Sequence, residues 1–431
     1  MRINIPYITT SLERDIIITL YLAPLWWVLG LSIVIYHIIA LWLLTKMIVS
    51  SIVDRSRVAI PKKVVFLLLL IIIYGISIVI NAHASQGQRV IASPYNYSFW
   101  IMGLILIVVV YNSFTLSSVA YVARAFRFNI IFIGLLAIVS LLLWFAGYNR
   151  LIFASPVQRL FPFITSIPNL RGGTTVGLIT SNWFLFHSTP IYPPRIRIMA
   201  LPDFPALGGI LLLMMPLVII YFRKNYYYWP VVMLGTLSLL LTFSRAAILA
   251  LLISVLFVYV VNKKHRMVIT FFAIGIFIFS MPLLEMFSDW VIRSREGSTA
   301  HRLMIYEYSI KTVMKNNPII GIGIKPREME VSVAPIGSQS TYISLLLKTG
   351  VMGLASFIAF QFTLLMSWYR RVSDQMSGEI RNIWSSLGIS LLGSALFIST
   401  QDMDALVIFC FIYFILAGIM MMLLRKSMDS A

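Results

Sequence analysis

Cysteine is nearly absent from this sequence. Cys410 is the only one among 431 residues, so no intrachain disulfide can form and thiol usage says nothing about the redox compartment. Charge is also scarce: only 11% of residues are charged, and 34 Lys and Arg face 15 Asp and Glu. A chain that is 60% hydrophobic, with a mean hydropathy of +0.91, has more apolar surface than a water-soluble domain could hide, which points to an integral membrane protein. Strand-like alternation is absent, so a membrane β-barrel is not expected. No basic stripe with interleaved aromatics marks a nucleic-acid surface, and the net charge of +19 is spread among connections between apolar runs. His37, His83, His187 and His265 lack ligand-like spacing, and no serine or cysteine stands in a nucleophile arrangement. No internal repeat, low-complexity tract or soluble-domain linker is present.

The apolar runs are close to the ~20 residues that a helix needs to cross a bilayer. Residues 15 to 50 would make a single helix about 54 Å long at ~1.5 Å per residue, too long for one crossing, so a break is expected near Gly30. Further spans are expected at 64 to 80, 99 to 119, 130 to 148, 206 to 222, 229 to 243, 246 to 262, 267 to 284, 343 to 367, 384 to 400 and 405 to 424. The expected fold is therefore all-α, one transmembrane domain over residues 1–431 with about twelve helices. The N-terminal segment reads as a retained first span without a cleaved signal peptide. Six basic groups, from Arg55/Arg57/Lys62/Lys63 to Arg425/Lys426, fall on one side of this topology, and the positive-inside rule makes that side cytoplasmic, with both termini inside. Two long connections, 149–205 and 285–342, then face outward.

The first outer loop carries Arg150, Arg159, Arg171, Arg195 and Arg197 against a single acid, Asp203, an excess that runs against the sorting rule. Guanidinium groups stay charged and present paired donors that match phosphate oxygens, so an outer arginine cluster suits a lipid-linked phosphate or diphosphate. Arg195 and Arg197 lie in "YPPRIRIMALPDFPALGG", Arg245 in the tight connection "LTFSRAAILA", and Arg302 at the start of a helix opened by "GSTAHRLMIYEYSI". A cation in a first helical turn opposes the helix dipole unless an anion is bound there. In that helix, Leu303, Tyr306, Ile310, Val313 and Met314 form an apolar arc expected to lie on the membrane surface. Asp402 and Asp404, in "STQDMD", occupy a short turn read as a helix boundary, and the absence of an acidic cluster on the long loops implies neither metal nor cofactor.

These pieces, spread over roughly residues 195 to 355, resemble the bacterial O-antigen ligase and Wzy-type polymerase superfamily. They are an arginine ahead of Pro202-Asp203, the Ser244-Arg245 pair, Arg302 with Tyr306, then "NNPIIGIGI" and "GSQSTYISLLLKTGVMGL". Where the family has a histidine before the last Ser/Asn and Tyr, this chain has Gln339, which cannot act as a base but can orient a hydroxyl or a phosphate oxygen. Either His301 or Glu307 could supply a base instead, although Glu307 is also spaced to pair with Lys311.

The resemblance implies a GT-C-like, metal-independent inverting glycosyltransferase in the bacterial inner membrane. Its donor would be an undecaprenyl-diphosphate-linked glycan, and its acceptor a sugar hydroxyl such as that of lipid A-core or of another repeat. Arg245, Arg302 and one of Arg195 and Arg197 would hold the diphosphate, while Gln339, Ser340 and Tyr342 would address the acceptor. Two other classes fit the composition: a flippase for the same lipid, and a structural subunit of an envelope complex. The concentration of polar residues in two outer loops, with few charges in the spans, favours the enzyme.

Overall fold

The computed structural model describes residues 11–32, 34–55, 57–81, 92–148, 150–160, 182–189, 195–198, 204–262, 298–326, 336–337, 339–372 and 378–429. The first apolar run forms α1 (Ser11–Tyr21) and α2 (Ala23–Leu29), interrupted just before Pro24; Gly30, at φ 83°, then turns the chain into α3 (Ile35–Val53). The break expected near Gly30 is thus where the chain reverses. A 3-10 turn, Lys62–Val64, leads into α4 (Val65–Ile80), followed by α5 (Ala92–Ser113) and α6 (Leu116–Phe145).

The boundary between the fourth and fifth spans differs from the one expected. Arg124 and Arg127 lie inside α6, and the chain turns earlier, at Phe114 and Thr115, where Ser118 Oγ accepts the Thr115 N–H at 2.7 Å in a capping box. Charge alone does not end a helix. The stretch 116–127 has no Gly or Pro and contains three alanines, so helix propensity carries it through. Arg127 lies 4.6 Å from the ring centres of both Phe222 and Tyr227, a stacking that offsets part of its desolvation.

The connection 149–205, expected as an outer loop, is not all loop. It contains β1 (Arg150–Ala154), α7 (Pro156–Leu160), β2 (Asn182–Thr189) and β3 (Arg195–Ile198), and the strands form an antiparallel sheet in the order β1-β2-β3. Arg195 pairs with Thr189 and Arg197 with His187. The sheet adds a short β element to an otherwise helical protein. Its signal was the aromatic-rich run 182–189 and the period-two alternation of "RIRI".

After the sheet come α8 (Phe204–Phe222), α9 (Tyr228–Leu241), α10 (Arg245–Asn262), α11 (Ser298–Asn316), α12 (Thr341–Val372), α13 (Gly378–Phe397), a 3-10 turn at Met403–Ala405, and α14 (Val407–Asp429). The expected span 267 to 284 lies outside the described residues. Among the described residues, six helical stretches are long and apolar enough to cross a membrane: Ile35–Val53, Lys62–Ile80, Ser93–Ser113, Leu116–Phe145, Thr341–Val372 and Val407–Arg425. Three shorter apolar helices, α8, α9 and α10, accompany them.

α14 is apolar all round and buried along its whole apolar length, so it occupies the centre of the bundle. There Trp100 of α5 packs edge-on against Phe357 of α12 and Phe414 of α14, at 5.1 and 6.3 Å between ring centres. Basic connections gather at one end of the bundle. Lys63 donates to Ser367 Oγ, Asn112 exchanges hydrogen bonds with the Ala59 backbone at 2.9 and 2.8 Å, and Arg425 lies over Tyr111.

At the other end α12 is broken. Gly350 has φ 63° and ψ −167°, a conformation outside any helix and essentially restricted to glycine. The segment 318–323 fills the break with four backbone hydrogen bonds. Val351 N–H donates to the Pro318 carbonyl at 2.8 Å and Met352 N–H to Ile319 at 3.2 Å, while Ile322 and Gly323 N–H donate to Leu347 and Lys348 carbonyls at 2.9 Å each. Groups orphaned by the break are thereby satisfied without water.

Candidate functional site

The turn that leads into α12 is held from both sides. On one side, the inner face of α11 supports it. Ser309 Oγ accepts the Gly337 N–H at 2.8 Å, and the Tyr306 hydroxyl donates to the Gln339 carbonyl at 2.9 Å. On the other side, the 398–403 connection clasps Thr341: its N–H reaches the Ile398 and Gln401 carbonyls at 2.9 and 3.0 Å, its hydroxyl donates to Gln401 O at 2.8 Å, and Thr341 Oγ1 in turn accepts the Met403 N–H at 2.9 Å. Between these anchors Gln339 adopts φ 74°, and its side chain is half-buried.

A left-handed conformation in a residue other than glycine is costly unless its surroundings enforce it. Among the described residues only Arg55, Phe243 and Gln339 have one, and two of the three adjoin the site motifs. Phe243 sits in the connection that delivers Ser244 and Arg245. The Thr242 hydroxyl accepts the Ser244 N–H at 3.2 Å, and the Ser244 carbonyl accepts the Ile248 N–H at 3.1 Å to begin α10. Ser244 packs against Gly208 at the start of α8, while the Arg245 side chain is exposed as the first residue of α10.

Arg302 lies one turn before Tyr306 on α11 and is half-buried. Burial pushes the Tyr306 hydroxyl above its ordinary pKa, with Arg302 pulling it down and Asp402 pushing it up; both charges lie within electrostatic reach of this ring. The Tyr306 bond therefore joins the helix bearing Arg302 to the turn bearing Gln339.

α11 sets one face against the protein and leaves three residues of the apolar arc outside it. Ile305, Ser309 and Val313 are buried against the protein, whereas Leu303, Ile310 and Met314 of the expected apolar arc are exposed. Ser309, through its bond to Gly337, is the polar anchor of the inward face.

Glu307 is exposed and paired with Lys311 at 2.6 Å, and the hydrogen bond from Lys311 holds its carboxyl below the ordinary range. Ser340 is buried at the start of α12. The Tyr342 oxygen lies 2.8 Å from Gln361 Oε1 and 3.0 Å from the Ala395 carbonyl, both inside the bundle. The side chains of Arg195, Arg197 and His301 lie outside the described residues.

A group of charges that the sequence reading did not assemble lies directly beneath the turn. Lys325, at the end of the inserted segment, contacts Asp402 and lies 3.1 Å from Asp404; Lys348, in the last turn before the break, contacts Asp404 and stands 5.1 Å from the centre of the Tyr74 ring. All four residues are at most 8% exposed. Burial pushes the Lys325 ammonium down, but Asp402 and Asp404 outweigh it and hold it above its ordinary value. Burial likewise pushes the Asp404 carboxyl up, but Lys325 and Lys348 hold it below the usual range. Asp402 remains raised by burial, with Lys325 opposing and the second carboxylate reinforcing.

The 402–404 stretch is a helix boundary, as its sequence suggests, and a buried ion network as well. The signal was available: Lys348 interrupts the apolar run "YISLLLKTGVMGL", and an ionisable residue at such a place needs a partner. Among the described residues there is no group of three or more His, Cys, Asp and Glu that could hold a metal.

The O-antigen ligase family model matches residues 230–358, from α9 to the middle of α12. That stretch contains Arg245, Arg302, Tyr306 and Gln339, and the superfamily resemblance read from the motifs rests on this match as well. Among curated proteins, none matches the chain.

Proposed function

We propose, for a chain whose residues 230–358 match the O-antigen ligase family, that it is an inverting glycosyltransferase of the inner membrane with about twelve spans in a GT-C-like arrangement. Both termini are cytoplasmic and the site faces outward. The donor is an undecaprenyl-diphosphate-linked glycan and the acceptor a sugar hydroxyl, that of lipid A-core in the ligase form of the reaction. The acceptor oxygen forms a bond to the anomeric carbon, the bond from that carbon to the diphosphate oxygen breaks with its electron pair, and the hydroxyl proton passes to a diphosphate oxygen or to solvent.

The protein's part is alignment and stabilisation of the leaving charge. Arg302 and Arg245, with Arg195 or Arg197, face the diphosphate, and Gln339 orients the acceptor, with Ser340 and Tyr342 adjoining it. His301 or Glu307 would assist; the Lys311 hydrogen bond makes Glu307 the poorer base of its pair. A diphosphate leaves readily, so positioning can substitute for a strong base.

One observation carries this reading: the Tyr306–Gln339 hydrogen bond, which ties the first turns of α11 to the turn before α12 inside the matched region. The test is transfer of glycan from purified lipid-linked donor to acceptor by the reconstituted protein. Movement of unchanged lipid across liposomes would replace the reading with a flippase, and neither activity would leave a structural subunit. In a deletion strain, polymer left unattached on a gel marks a ligase, and single repeats mark a polymerase.

A further inference from the structure

We propose that Lys325, Lys348, Asp402 and Asp404 act as positioning residues, a buried frame that fixes where Gln339 stands relative to Arg302. The inference rests on the transferase reading for the roles of those two residues.

The four charges come from three separate segments: the insert 318–326, the last turn of α12 before Gly350, and the 398–404 connection. One ion of each sign lies next to an anchor of the Gln339 turn. Lys325 precedes Pro326, whose carbonyl accepts the Ile336 N–H at 3.0 Å at the beginning of that turn. Asp402 stands between Gln401 and Met403, the two residues that clasp Thr341 at its end. Asp402 also lies within electrostatic reach of Tyr306, which holds the Gln339 carbonyl.

Stability alone does not account for such a network. Withdrawing ions from water carries a heavy desolvation penalty, and apolar residues of similar volume commonly serve a fold as well or better. Ion pairs differ from apolar contacts in being directional, so they resist sliding of one segment past another. Here two lysines meet two carboxylates with no net charge, and Lys325 bridges both acids, so neither the insert nor the connection can shift without separating charges in a buried environment.

The test removes opposite charges together, so that none is left unpaired. Lys348→Met/Asp404→Leu and Lys325→Met/Asp402→Leu are made in the full chain, in detergent or liposomes, with thermal unfolding followed by tryptophan fluorescence. Two readouts decide. Hydrogen exchange should show loss of protection at the Ile336, Gly337 and Thr341 amides while α5 and α14 stay protected. The kcat for transfer should fall roughly tenfold to a hundredfold, as small misplacements do, with the donor KM nearly unchanged. Unchanged protection at those three amides, or an unchanged kcat, overturns the frame. A wild-type protein with no transfer activity refutes the transferase reading instead, and hydrogen exchange alone then decides the frame. If a double variant does not insert, Lys325→Gln/Asp402→Asn, which removes the charges but leaves polar side chains able to hydrogen-bond, is judged by the same two outcomes.

Discussion

Gly350→Ala tests the broken helix most directly. A Cβ built at Gly350 would lie 2.2 Å from the Ile319 carbonyl oxygen and 2.3 Å from its carbon, both backbone atoms of the inserted segment that no rotamer change can move. The backbone itself, at φ 63° and ψ −167°, belongs to a region that residues with a Cβ occupy at a cost of about 1–3 kcal/mol. To relieve the clash the 318–323 segment must withdraw, and its four backbone hydrogen bonds contribute roughly 1 kcal/mol each, more where they leave a buried group unpaired. The expected loss is therefore on the order of 5 kcal/mol, a large part of the roughly 5–15 kcal/mol that folded domains possess.

Thermal unfolding in detergent, read from tryptophan fluorescence, should show a clear drop in Tm, and hydrogen exchange should show lost protection at Ile322, Gly323, Val351 and Met352. Gly378→Ala, at the start of α13 with open space around its Cβ, is the control and should not lower the Tm. A Gly350→Ala protein that unfolds with wild-type Tm and keeps those four amides protected would refute the account of how the insert is docked.

Arg245→Ala and Arg302→Ala should each abolish glycan transfer while expression and membrane insertion stay normal, and Gln339→Ala should weaken it less; quantitative transfer assays on matched amounts of protein check the order. Tyr306→Phe removes one hydrogen bond, worth about 0.5–1.5 kcal/mol, and should lower kcat more visibly than Tm, because the bond it loses positions the Gln339 carbonyl. The Glu307 and Lys311 pair is exposed, so Glu307→Gln should leave the Tm unchanged, which the same unfolding assay detects.

Acid sensitivity follows from Asp404. Its folded pKa is depressed, so its stabilisation is fully present above the unfolded value of about 4 and is lost as pH falls through the folded value. Asp404→Asn should flatten the acid limb of a Tm against pH curve, whatever it does to the Tm at neutral pH. Retention of the full acid limb in that variant would contradict the assignment.

The helical membrane architecture was legible because it depends on composition and run length, and Gly30 marked the first reversal. Two features were not anticipated, each for a separate reason. Arg124 and Arg127 looked like a connection because charge was allowed to stand for a break, while the capping residues Thr115 and Ser118 carried the real signal a few residues earlier. The sheet in the 149–205 connection was not anticipated because β1 and β3 span only five and four residues, too few for alternation to stand out without the partner strand.

The buried ions show why motifs that are weak singly gain meaning together. "NNPIIGIGI" and "KTGVMGL" look like two unrelated glycine-bearing stretches, yet each supplies what the other lacks: one breaks a helix and orphans its backbone groups, and the other brings the amides and carbonyls that satisfy them. A Cβ at Gly321 would come within 2.5 Å of the Gly350 nitrogen, so the two glycines permit a single close approach. Once that approach is made, Lys325 and Lys348 are carried to the same place, and "STQDMD" is the segment that meets them with two carboxylates. The same 398–404 connection also clasps Thr341, two residues beyond Gln339. The docking of the insert, the pairing of the ions and the placement of the Gln339 turn are therefore one structural event, and a substitution that disturbs any of them should be felt at the other two.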